Sequence, residues 1–264
     1  MRAPAPLPTS LLLALLAVAP SVLAAQPHEH TAETIVADAD ALYFAGRPRD
    51  AYDLLAEHLE ASPGDYEALW RAARSAVVLG VGEEGVERQN EWLDPAIVLG
   101  DRAVIEHPRG LDGLYWRAAA AGRRSMNAGP GYGADLAQRV YDDAHAILAV
   151  DPLHGGAHNL LGKLNYEIMS LSRIERFIGR TLVRKEALRD SSWEQAETHL
   201  RMAAESWPDY VLFQFDLALL HRKRGRREES VTAFQRVTGM LPVHPSDVSF
   251  QADAQRYLQE MSDR

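Results

Sequence analysis

Several clusters of residues in this 264-residue chain have the types and spacing for chemistry. Gly80 to Gly85 reads GVGEEG, the spacing of glycines that let a backbone close on a dinucleotide pyrophosphate at the start of a helix. That role needs a strand before the glycines and a parallel-sheet unit around them, and an alanine-rich helical stretch precedes them instead. His154 and His158 stand one helical turn apart, as a zinc pair would, but Gly155 stands where the HExxH pattern has its glutamate and no third ligand follows. His28 and His30 form a third candidate metal pair, weakened by Pro27, which removes a backbone nitrogen that amino-terminal copper sites use. No nucleophile stands at a spacing that predicts a nearby base and orienting group. The sequence therefore predicts no enzyme, no cofactor and no metal site, and function becomes a question about surfaces.

Such surfaces need elements to position them, and five prolines set out those elements: Pro63, Pro108, Pro152, Pro208 and Pro242. A small or β-branched residue stands twelve positions before each, at Ala51, Ala96, Val140, Ala196 and Ser230. The last two prolines are 34 residues apart, the period of the tetratricopeptide helix hairpin with its W-x2-L-G-x2-Y, A-x3-F and P pattern. The other intervals are 45, 44 and 56 residues, so the array carries insertions. The prediction is an all-α tetratricopeptide solenoid of about five hairpins with insertions, closed by a C-terminal capping helix over 247–261.

Hairpin by hairpin, the first spans 31–62, with Gly46 and Pro48 at its turn. The second begins at Tyr66 and resumes at Asp94 and Pro95, read as a helix-start pair after an insertion over 80–91. The third pairs 111–121 with 134–150 across a stretch holding Gly129, Pro130, Gly131 and Gly133, read as a loop. The fourth has Leu161 and Gly162 at the L-G positions and Ala196, Leu200 and Pro208 closing it, with about 22 extra residues. The fifth keeps standard length, with Gly225 at its turn.

In such an array the first helices of the hairpins form the inner wall, and the fifth position of each commonly faces a ligand. Here those positions are Val36, Trp70, Tyr115, Asn159 and Phe215, and positions one turn later add Arg74 and Lys163, with Tyr166 beyond. The candidate groove residues are Trp70, Arg74, Tyr115, Asn159, Lys163, Tyr166 and Phe215. Asn159 and Lys163 stand in the reverse order of the pair that clamps a peptide carboxylate in chaperone-binding relatives. An apolar groove with a few polar anchors suits a peptide helix or an acyl chain.

The long fourth hairpin holds apolar residues at Leu171, Ile174, Ile178 and Leu182 with Arg173, Arg176, Arg180 and Arg184 on a neighbouring face. This reads as a basic amphipathic helix, either packed along the superhelix or lying on an anionic membrane. A second basic run, 222–227, surrounds Gly225; Glu228 and Glu229 partly neutralise it.

The segment from Asp151 to Glu167, followed by SLSRIERF over 170–177 and the helix from Trp193 to Ala204, resembles the regulator of microtubule dynamics family of tetratricopeptide proteins. The opening ADALYFAGRPRDAYDLL from Ala39 fits the same layout. The resemblance implies a helical repeat domain linked to microtubule association or to membrane contact and lipid handling, without an established catalytic centre. Only the fold and a ligand groove carry over to a secreted chain.

Secretion is the expectation from 1–24. Arg2 precedes an apolar run from Leu11 to Val18, Pro20 breaks it, and Val22 and Ala24 fit a small-residue cleavage rule, giving a signal peptide and a single mature domain over 25–264. The chain has no cysteine, so stability must come from packing rather than disulfides. A formal net charge of −9 disfavours phosphate backbones and excludes nucleic acid as an expected partner. The sequence thus predicts a non-catalytic scaffold or adaptor of the periplasm that binds a protein or peptide. The alternative is a carrier that holds a lipid or other apolar small molecule in the concave groove, with the basic helix against a membrane.

Overall fold

Helix starts in this chain are written by local chemistry. Asp65 accepts the backbone N–H groups of Glu67 and Ala68 at 3.0 and 3.2 Å, Ser192 accepts that of Gln195 at 3.1 Å, and Pro48 and Pro130 occupy first-turn positions where no N–H is missed. The computed structural model describes residues 32–172 and 185–263. The leader-like segment 1–24, the histidines at 28 and 30, and Arg173, Arg176, Arg180 and Arg184 lie outside the described residues.

Among the described residues every regular element is a helix. Helices α1 (Ala32–Phe44) and α2 (Pro48–Ala61) form the first hairpin, α3 (Tyr66–Gly82) and α4 (Val86–Glu106) the second, and α5 (Leu111–Met126) and α6 (Pro130–Val150) the third. In the fourth, α7 (Gly155–Ser170) pairs with α9 (Trp193–Ser206), and the short α8 (Glu186–Asp190) lies between them in sequence. The fifth comprises α10 (Val211–Lys223) and α11 (Arg227–Thr238), and α12 (Asp247–Ser262) follows as the cap. The tight turns of the first and fifth hairpins carry Gly46 and Gly225 at φ of 77° and 73°, which other residues adopt at a cost.

Three expectations need correction. Pro95 does not start a helix: α4 runs unbroken from Val86 through it. A proline inside a helix costs about 3 kcal/mol. Here Leu93, Ala96, Ile97 and Leu99 are buried on either side of it, while Tyr52 meets Trp92 edge-on at 5.2 Å and Arg49 stacks on the same ring at 4.1 Å. Those contacts hold the turn before the proline in register. The expected insertion over 80–91 is correspondingly mostly helix, interrupted only between Gly82 and Val86. The glycine-rich stretch at 129–133 is likewise helical from Pro130 on, because Ala134, Leu136, Ala137 and Val140 bury the face that follows.

Packing follows the repeat. Each hairpin stacks on the next, with first helices adjoining one another along one wall. A close helix approach explains the L-G motif: a Cβ on Gly162 would sit 2.6 Å from Leu200 Cγ and 2.8 Å from its backbone nitrogen, so only glycine lets α7 meet α9 this closely. The end of the long insertion is docked rather than loose. Lys185 pairs with Asp135 at 2.9 Å, the Ala187 N–H donates to Gln138 at 3.1 Å, and the Ser192 N–H donates to Asn165 at 3.0 Å.

The array also closes on itself. The α1 rings of Tyr43 and Phe44 lie 6.2 and 5.7 Å from the ring of His244, in the linker before α12, and His244 lies 4.4 Å from Tyr210. Asp247 fixes that linker by accepting the Val243 and His244 N–H groups at 2.9 and 2.8 Å. First and last repeats thus share a seam at one end of the inner wall.

Candidate binding groove on the inner wall

The seam forms the floor of a recess. Tyr43 from α1, Tyr115 from α5, Tyr210 before α10 and His244 line it together with Val78, Val81, Met126 and Leu160 from α3, α5 and α7. Its volume is about 130 Å³. Burial raises the pKa of the Tyr43, Tyr115 and Tyr210 phenols well above their ordinary value, so all three stay protonated and neutral. Burial lowers the His244 pKa, Asp247 opposes that and Arg74 adds to it, so this ring is neutral as well.

Of the charged and amide side chains in the lining, most are already paired. Asn159 donates to Asp216 Oδ2 at 3.0 Å, while Lys163 Nζ lies 3.2 Å from Asp216 Oδ1 and 3.2 Å from Glu167 Oε1. Burial alone would lower the Lys163 pKa, but the carboxylates of Asp216 and Glu167 outweigh it and hold the ammonium charged. The two side chains that a carboxylate clamp would use are therefore engaged by the chain's own aspartate. Arg123, also lining the recess and half-buried, makes no hydrogen bond or ion pair with any described residue.

Of the seven groove residues expected from sequence, Tyr115, Asn159 and Lys163 line this recess. Tyr166 sits just beyond it, under Lys163 Nζ at 5.0 Å and edge-on to Trp193 at 5.9 Å. Trp70, Arg74 and Phe215 do not line it. Trp70 is buried, with its indole N–H donating to Glu67 at 3.0 Å and Arg71 stacked on its ring at 4.0 Å. Arg74 is buried over the Tyr43 ring at 3.8 Å and bonded to Asp40 at 2.5 Å. Phe215 packs against Phe250 at 5.3 Å and Phe234 at 5.9 Å in the core that the cap covers.

Sequence reasoning passed over Arg123, Tyr43, Tyr210 and His244. Arg123 had a usable signal: it lies two turns beyond Tyr115 on the same helix face. The others come together only through closure of the array, which no local pattern records. The basic run at 222–227 is largely spent within the chain: Arg222 pairs with Glu260 at 2.9 Å, Arg226 grips Glu197 through two bonds of 2.6 and 2.7 Å, and Arg227 donates to the Met261 carbonyl.

The histidine pair read from sequence serves structure. His154 caps α7 by accepting the Ala157 N–H at 3.0 Å. His158 Nε2 lies 3.0 Å from the Pro152 carbonyl, which can only accept, so the ring carries its proton there and its Nδ1 accepts from His199 Nδ1–H at 2.9 Å. Among the described residues no group of three His, Cys, Asp or Glu side chains is placed to hold a metal ion.

The sequence matches the model of the family described as regulator of microtubule dynamics protein 1-3 over residues 35–262. No curated protein matches it. Among solved structures it is similar to TTC0263, a thermophilic TPR protein of Thermus thermophilus, at 20% identity and a TM-score of 0.60, covering 86% of this chain and 98% of that one. It is also similar to the human IFIT1 dimer with PPP-AAAA, at 17% identity and a TM-score of 0.50, covering 88% of this chain and 56% of that one. Likeness at these identities is a likeness of fold, and it agrees with the tetratricopeptide-like solenoid seen in the helices.

Proposed function

The chain belongs to the regulator of microtubule dynamics protein 1-3 family, and from that premise we propose that it is a non-catalytic adaptor whose inner wall docks a segment of another protein by taking one apolar side chain into the recess. The observation that carries this reading is the size and lining of the recess. A cavity of roughly 150 Å³ holds a benzene-sized group, whereas pockets that enclose small-molecule ligands run from about 300 to 1,000 Å³. At about 130 Å³, with mostly aromatic and aliphatic walls, this one fits a single anchor side chain of the kind that dominates protein interfaces. The same volume argues against a lipid enclosed in this recess. The leader-like pattern of 1–24 adds export across the inner membrane, with the periplasm as the place of action.

The test is site-specific photo-cross-linking in cells that make the protein. Met126, 55% exposed at the mouth of the recess, should cross-link to a discrete protein partner when replaced by a photoreactive amino acid. Val98, 57% exposed on α4 and absent from the recess lining, should not. Equal cross-linking from both positions, or none from Met126, would count against the proposal.

A further inference from the structure

The inner-wall helices α3, α5 and α7 carry six arginines and lysines, and all but Arg123 pair with a carboxylate of the chain. Arg74 on α3 bonds Asp40 of α1 at 2.5 Å, and Lys163 on α7 is shared between Glu167 on its own helix and Asp216 of α10 at 3.2 Å each. Arg123 on α5 has no counterion among the described residues, although it is half-buried beside Ala119 and Met126. The carboxylates that line the recess, Asp216 and Glu167, are already held by Asn159 and Lys163. A partly desolvated cation without a counterion is unfavourable, and its planar fork of donors matches a carboxylate through two parallel bonds.

We infer that the docked segment carries an aspartate or glutamate whose side chain pairs with Arg123. The inference rests on the docking reading above. Arg123 stands eight residues beyond Tyr115 on α5, about 12 Å along the helix. An apolar anchor directed at the aromatic floor therefore leaves the segment's backbone at the mouth, where a residue a few positions from the anchor meets the guanidinium. That geometry calls for a side-chain carboxylate of a continuing segment, since the anchor, not a chain end, fills the recess. On a chain of net charge −9 the attraction is local to Arg123, so acidic peptides gain no general pull from the rest of the surface.

The experiment is selection from a random twelve-residue peptide library displayed on phage, against the full chain and its Arg123→Glu and Arg123→Gln variants, each first shown to melt as the parent does. The parent should enrich peptides with an apolar residue and an Asp or Glu within four positions of it. Arg123→Glu should enrich Lys or Arg at that place, and Arg123→Gln should bind the parent's peptides about tenfold more weakly. Apolar peptides without acid enrichment from the parent, or the same acidic set from Arg123→Glu, would overturn the inference and leave the docking reading standing. Failure of the parent to enrich any peptide would sink both. A synthetic version of an enriched peptide with its acid changed to the amide, binding the parent undiminished, would also overturn it.

Discussion

Asn159 on α7 donates to the buried carboxylate of Asp216 on α10 at 3.0 Å, so one hydrogen bond joins the fourth repeat to the fifth across the groove wall. The same carboxylate takes Lys163 on its other oxygen. Removing it strands two donors at once, and losing one partner of a largely buried charge pair costs roughly 3 kcal/mol. Asp216→Ala should lower unfolding stability by about 2 to 3 kcal/mol, less than a fully enclosed pair because Lys163 keeps Glu167. Asp216→Asn, which retains an acceptor for Asn159, should lose about half as much. Urea titration of the three proteins checks the order; equal stability of Asp216→Ala and parent would show that the bond carries no inter-repeat energy.

The α7–α9 contact is the tightest test of the repeat motif. Gly162→Ala places a methyl 2.6 Å from Leu200 Cγ and 2.8 Å from its backbone nitrogen, and the backbone cannot yield as a side-chain tip would. Overpacking of this kind costs about 1 to 3 kcal/mol, outweighing the gain of about 1 kcal/mol that alanine brings to a helix interior. A net loss of stability in thermal or urea unfolding is expected. A gain would mean that the helices separate at little cost.

Histidines set the acid limit. Burial, then the neighbouring His158 and His145, lower the His199 pKa to about 4, and burial also lowers those of His154, His221 and His244. An unfolded histidine binds its proton near pH 6.5. Above that value both states are neutral and the stability is fully present; as pH falls from 6.5 toward 4 the unfolded chain takes up protons that the folded one refuses, and stability declines. Melting temperature should therefore drop across this window. His199→Gln should flatten the drop, and a slope unchanged by that substitution would contradict the assignment.

The seam should be dynamic on its own scale. His244→Ala removes the ring that α1 touches through Tyr43 and Phe44, while α5, α6 and α7 keep their contacts. Amide hydrogen exchange should quicken in 32–44 and leave 134–147 unchanged. Uniform quickening would show that the seam supports the whole array instead of one end of it.

Much of this architecture is legible in the residues. Asp65, Ser192 and Pro48 mark helix starts, and Gly162 announces a close helix contact through the motif it belongs to. Local punctuation misled where packing outweighed it. Pro95 and the glycines around Pro130 read as breaks, yet the buried faces around them hold both segments helical. The groove was legible only in its phase. Counting positions along each first helix located Tyr115, Asn159 and Lys163, but it put Phe215 on the groove because the count ignores the cap that covers the last repeat. It missed His244 and Tyr210 because they reach the recess from linkers, through a closure set by the accumulated twist of five hairpins.

The central claim is that the recess receives the partner, and filling it tests that claim most directly. In the protein carrying a photoreactive residue at Met126, Ala119→Trp places an indole in the recess that Ala119 lines, and circular dichroism confirms that the fold melts as before. The yield of the cross-linked partner should fall at least tenfold relative to the same protein with Ala119 intact, by the loss of a single buried anchor. An undiminished yield from a folded Ala119→Trp protein would show that partners dock elsewhere.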